Sequence, residues 1–120
     1  MNKEYIYTYT RQDAINDGIF VDVSEVAKEL GFNIPVAITS NLFNTYIKKE
    51  TETETNRRLK IFLRITWENI SLHPQRDTLT LLTTKAYFDD KTPTDVWIAL
   101  EAQSPTDPSP AINILLPEDY

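Results

Sequence analysis

Apolar and polar positions alternate with two different periods along this chain of 120 residues. The strongest signal is helical. Leu59, Phe62, Leu63, Thr66, Trp67 and Ile70 recur at the spacing of one helix face, which predicts a long amphipathic helix over residues 56–71, ended by His73-Pro74. After Pro74 the period falls to two. "TLTLLTTKAYF", "VWIALEA" and "AINILL" each alternate like a half-buried strand. The shift from Leu79 and Leu81 to Leu82 marks a possible bulge in the first of them. "DDKTPTD" and "QSPTDPSP" are the turns between them, so three consecutive strands predict an antiparallel meander.

The first third of the chain is built from shorter elements. Thr10 to Asp13 has the form of a capping box, predicting a short helix over 11–16, with Gly18 just past its end. "IFVDV" alternates as a short strand. Ser24 is placed to cap a second helix over 25–30, with Glu25 in its first turn and Gly31 as its stop. "FNIPVAIT" is β-branched and apolar, but Pro35 lacks a ladder donor, so it is expected as an edge strand or an extended connector. Ser40 is placed to cap a third helix near 41–50. "ETETET" at 50–55 reads as a loop or a frayed helix end. The expected architecture is α+β and a single domain over residues 1–120: short N-terminal helices and strands, then one long amphipathic helix packed on a C-terminal three-stranded antiparallel meander.

Composition narrows the chemistry. Apolar residues make up 41% of the chain, enough for a core, and there is no cysteine. Disulfides, thiolate zinc sites and cysteine nucleophiles are therefore excluded. No apolar run approaches the ~18 residues of a membrane span, and "MNKEYIYTYTRQD" has no signal-peptide apolar region. The expected location is the cytoplasm, with no membrane association.

The net charge is −6. It divides into −3 over residues 1–47, +3 over 48–76 and −6 over 77–120, counted along the sequence. The basic middle concentrates in Arg57, Arg58, Lys60 and Arg64, at the exposed edge of the long helix. That edge can bind an anionic partner, or it is a solvated face paired with Glu54 and Glu68. Trp97 lies on the opposite face of its strand from Val96 and Ile98, where it packs under a helix or forms an exposed patch. Arg57, Arg58, Lys60, Arg64 and Trp97 are the candidate interaction residues.

Candidate catalytic groups fare poorly. His73 is the single histidine, and its position beside Pro74 is explained as a helix-end residue. Asp89-Asp90 and Glu118-Asp119 are sequence neighbours, which on a strand point to opposite faces. Asp17 and Asp22 suit turn chemistry better than ion binding. Two glycines cannot build a glycine-rich phosphate cradle, and no nucleotide, zinc-protease or calcium-loop motif occurs. No catalytic, metal or cofactor residue is assigned. "VSEVAKELGF" resembles the first half of a helix-turn-helix, but residues 32–47 hold no Lys or Arg, a poor composition for reading a DNA groove.

Asp17-Gly18, Asp22-Val23-Ser24, Ala27, Gly31-Phe32, Pro35-Val36-Ala37 and Thr39 are similar to a family of small bacterial proteins of unknown function. Its members often occur on plasmids, phages and conjugative elements. "INILLPED" resembles the family's closing strand and terminal Pro-Glu. The resemblance implies an accessory protein of a mobile element and carries over no catalytic residue. Composition and resemblance together lead to an expectation of a non-enzymatic interaction protein with an unidentified protein partner, a monomer or weak dimer. The alternative is a nucleic-acid-associated regulator using residues 24–47 or the basic edge of the helix at 56–71.

Overall fold

The computed structural model describes residues 10–71, 80–87, 93–104 and 106–119. His73, Asp89 and Asp90 lie outside the described residues. The elements follow in the order α1 (Arg11–Asn16), β1 (Phe20–Asp22), α2 (Ser24–Glu29), β2 (Val36–Thr39), α3 (Ser40–Leu42) running into a π-helical turn (Phe43–Ile47), α4 (Glu52–Ser71), β3 (Thr80–Tyr87), β4 (Pro93–Ser104), β5 (Asp107–Leu115) and a closing 3-10 turn (Pro117–Asp119). The class is α+β.

The sheet has five strands in the order β1-β2-β5-β4-β3. β3, β4 and β5 are antiparallel neighbours, but they do not stand alone as a meander. β5 also pairs with β2, in parallel, setting Val36 beside Ile112 and Ile38 beside Ile114, and β1 then pairs antiparallel with β2. The second half of "FNIPVAIT" is thus an interior strand and not an edge, while residues 32–35 are the connector that leads into it. Pro35 sits one residue ahead of β2, where its missing N–H costs no ladder bond, and its carbonyl accepts from the Ile112 N–H at 2.8 Å. All four residues of β2 are buried.

Alternation splits the sheet into two faces. Val36, Ile38, Val96, Ile98, Ile112 and Ile114 form the floor of the main core, with Leu59, Phe62 and Leu63 of α4 and Ala27, Phe32, Leu42 and Ile47 filling it. Thr66 belongs to the same buried stripe, and its hydroxyl donates to the Phe62 carbonyl at 3.0 Å, so it enters the core without an unpaired group. Trp67 departs from the expected burial. It lies at the margin of the stripe with 36% of its surface exposed, covered on one side by Phe32, whose ring centroid is 5.1 Å away.

Local chemistry sets the ends of the elements. The capping box at α1 is complete: the Asp13 N–H donates to Thr10 Oγ1 and the Thr10 N–H donates to Asp13 Oδ2, both at 3.0 Å. Gly18 and Gly31 take φ of +80° and +109°, as stops after α1 and α2 require. Other expected caps are corrected. Ser24 opens α2 without capping it; its Oγ donates to Asp22 Oδ1 at 2.6 Å and accepts from the Val36 N–H at 3.0 Å, tying the start of β2 to the turn before α2. Thr39, not Ser40, caps α3 through Leu42 N–H, while the Ser40 hydroxyl donates to the Gly18 carbonyl at 2.6 Å.

α4 begins at Glu52, four residues before the expected start. Thr51 Oγ1 accepts from the Glu54 N–H, and Glu52 and Glu54 stand in the first turn, where carboxylates favour the helix dipole. The "ETETET" stretch is therefore largely helix. Pairing of β3 with β4 runs unbroken from Thr80 to Tyr87, so no bulge falls in that stretch; Leu79 lies outside the described residues. A register shift falls between β4 and β5, at Ala102 and Ser104. Most of "QSPTDPSP" is strand as well, since β4 extends to Ser104 and β5 starts at Asp107.

Candidate functional site

α4 carries two opposed faces. One supplies Leu59, Phe62, Leu63 and Thr66 to the core. The other, with Leu30 from the end of α2, lines an open groove of about 740 Å³. Its lining includes Arg57, Lys60 and Arg64 along the helix, with Ile61 and Ile65 between them and Glu68 at one end. Ile61 is 53% exposed, one of three large apolar side chains that are exposed among the described residues. Helical geometry explains the cluster. Residues 57, 60, 61, 64, 65 and 68 share one side of a helix, and Phe62, Leu63 and Thr66 share the other.

The basic residues do not act alike. Lys60 Nζ stands 3.9 Å from Glu29 Oε2, with both side chains more than half exposed. Such an ion pair is weak; it sets the Lys60 side of the groove beside α2. Among the described residues, neither Arg57 nor Arg64 is within ion-pair distance of a carboxylate. The expected pairing of the basic edge with Glu54 and Glu68 is replaced, for Lys60, by pairing with Glu29.

Arg58 points elsewhere. Its Nε and Nη2 donate to the Tyr46 carbonyl at 3.1 and 2.8 Å. The π-helical turn ends at Ile47, and the last carbonyls of a helix lack intrahelical donors. Arg58 supplies one, joining α3's end to α4. It is a structural residue, half-buried, not part of the exposed edge. Trp97 is half-buried on the far face of the sheet, opposite Leu115 and Thr83 in register. The structure thus gathers Arg57, Lys60 and Arg64 and separates them from Arg58 and Trp97.

The far sheet face holds a second polar cluster. Arg11 Nε donates to Asn113 Oδ1 at 2.9 Å, and Asn113 Nδ2 donates to Glu101 Oε2 at 3.2 Å. Burial lowers the Arg11 pKa, while Asp22 and Glu101 oppose that shift. Among the described residues, Arg11 Nη2 is buried without a hydrogen-bond acceptor. At the sheet's end, Asp119 gathers Thr39 Oγ1 at 2.7 Å, Asn41 Nδ2 at 2.9 Å and the Leu116 N–H at 3.1 Å. This clasp ties the closing 3-10 turn to the β2–α3 junction. The sequence offers Asp119 only as half of an acidic pair.

Asp22 Oδ1 accepts from both the N–H and the hydroxyl of Ser24, the expected turn role. Residues 36–39 form an interior strand, so "VSEVAKELGF" does not lead into a recognition helix. Among the described residues, no three His, Asp or Glu side chains gather as a metal site, and no helix is long and apolar enough to cross a membrane.

Residues 1–66 match the model of DUF6573, a family of unknown function. No curated protein and no solved structure matches the chain. The matched segment spans α1 through most of α4, including Arg57, Lys60, Ile61 and Arg64.

Proposed function

We propose, of a chain that belongs to the DUF6573 family of unknown function, that it is a small non-enzymatic interaction protein which docks a protein partner through the outer face of α4. The observation that carries this reading is Ile61, 53% exposed in a groove shared with Arg57, Lys60 and Arg64. An exposed branched apolar side chain ringed by cations has no role in the fold, whose core is filled from the other side of the helix. The sequence resemblance supports service to a bacterial mobile element, as an accessory that modulates a host or element-encoded machine in the cytoplasm. The three cations on each copy disfavour a tight dimer through this face, which supports a monomer or weak dimer.

The test is affinity capture from bacterial lysate with the wild-type chain and with Ile61→Asp. A protein captured by the first and lost by the second, with both chains equally folded, is the expected result. Equal capture by both overturns the assignment of the surface. Material whose capture is abolished by nuclease treatment, and falls with added salt, turns the reading to a nucleic-acid-associated regulator on the same cations.

A further inference from the structure

We infer that the occupant of the α4 groove is an acidic amphipathic helix, about four turns long. This rests on the reading of the outer face of α4 as the docking surface. The groove runs from Thr53 to Glu68, about 22 Å at the rise of an α-helix. Past its first turn, the backbone groups lining this part of α4 are committed to the helix itself, so the surface offers a partner no main-chain ladder. An extended segment laid there would leave its own N–H and C=O groups without partners; a helix arrives with them already paired. Ile61, Ile65 and Leu30 give the centre an apolar strip. They select a partner whose leucine- or isoleucine-type side chains recur along one helix face.

Charge decides among the possible occupants. Arg57, Lys60 and Arg64 line the strip, against Glu68 at one end and Glu29, which already bonds Lys60. Carboxylates flanking the partner's apolar stripe meet Arg57 and Arg64, neither of which has an ion-pair partner among the described residues. A second copy of α4 would bring the same three cations against themselves. A nucleic acid would meet the cations but leave Ile61 and Ile65 against phosphates. It would also extend beyond the groove over a molecule whose net charge is −6, whereas a short helix stays within it.

The experiment is a selection from a display library of short helical peptides against the intact wild-type chain at low salt. Affinities of the enriched peptides are then measured by fluorescence anisotropy for wild type, Ile61→Asp and the double variant Arg57→Glu/Arg64→Glu. A labelled DNA duplex serves as a parallel probe. We expect enrichment of sequences with leucine-type residues at helical spacing and Asp or Glu beside them. Each variant should lose about tenfold in affinity or more, and binding should weaken with added salt. Circular dichroism melts of the variants should match wild type. Enriched helices that are basic or uncharged, yet lost with Ile61→Asp, overturn the acidic occupant and leave the docking surface standing. No enrichment, or enriched peptides insensitive to Ile61→Asp, overturns both. Duplex binding lost in the double variant, with no acidic helix enriched, replaces the helix by nucleic acid.

Discussion

At the scale of single residues, side chains that look alike in the sequence have separate tasks. Arg57 and Arg58 are adjacent, and the sequence places both at a solvated edge. The structure sends Arg58 back to the Tyr46 carbonyl with two hydrogen bonds. A hydrogen bond from a charged donor to a part-buried carbonyl is worth more than an ordinary surface contact. Arg58→Ala is therefore expected to cost about 1–2 kcal/mol in urea unfolding, against under ~0.5 kcal/mol for Arg57→Ala. Indistinguishable midpoints for the two would contradict the assignment. Asp119 makes a second case. Removing its carboxylate leaves the Leu116 N–H and the Thr39 hydroxyl without an acceptor near buried backbone. Asp119→Ala should cost about 1–3 kcal/mol, and Asp119→Asn, which keeps one acceptor, should cost less. A chain truncated at Leu116 that melts like the full chain would refute the clasp.

At the scale of elements, legibility follows the range of the interactions. The core stripe of α4, the capping box at Thr10 and the stops at Gly18 and Gly31 all depend on residues within four or five positions of each other. They are readable because the physics is local. Thr51 is a local signal that the polar run at 50–55 obscures: Thr and Glu are poor at packing but good at a helix start. Thr51→Ala should lower stability by about 1 kcal/mol and reduce the ellipticity of the first turn of α4; an unchanged melt would mean that the helix starts later. The parallel pairing of β2 with β5 is not readable in the same way. It joins segments more than 70 residues apart, and Pro35 suggests an edge unless its position just outside the ladder is known. The groove is intermediate. Arg57, Lys60 and Arg64 are visible as a basic edge, but Ile61 between them reads as an unremarkable apolar residue until the core is seen to fill from the opposite side. Arg58 leaves the group through a tertiary contact that spacing does not encode.

At the scale of the whole molecule, the two halves of the sequence share one sheet. The family match covers residues 1–66, yet β2, inside that segment, is buried between β1 and β5. Without residues 80–115, Val36 and Ile38 lose Ile112 and Ile114 on one side, and α4 loses the floor beneath Phe62. A fragment of residues 1–71 is expected not to unfold cooperatively; a sharp two-state melt of that fragment would show that the matched segment is a folding unit by itself. The same whole-molecule arrangement gives α4 its division of labour, with the sheet holding one face while the other is turned outward.

That division is tested most directly by urea unfolding of Phe62→Ala and Ile61→Asp side by side. These neighbours sit on opposed faces of one helix, with Phe62 4% and Ile61 53% exposed. Phe62→Ala should lose about 3–5 kcal/mol, a large part of the about 5–15 kcal/mol that holds a domain folded. Ile61→Asp should stay within about 0.5 kcal/mol of wild type. Equal losses for the two, large or small, would contradict the account: the outer face of α4 would then be part of the fold, or its inner face would not.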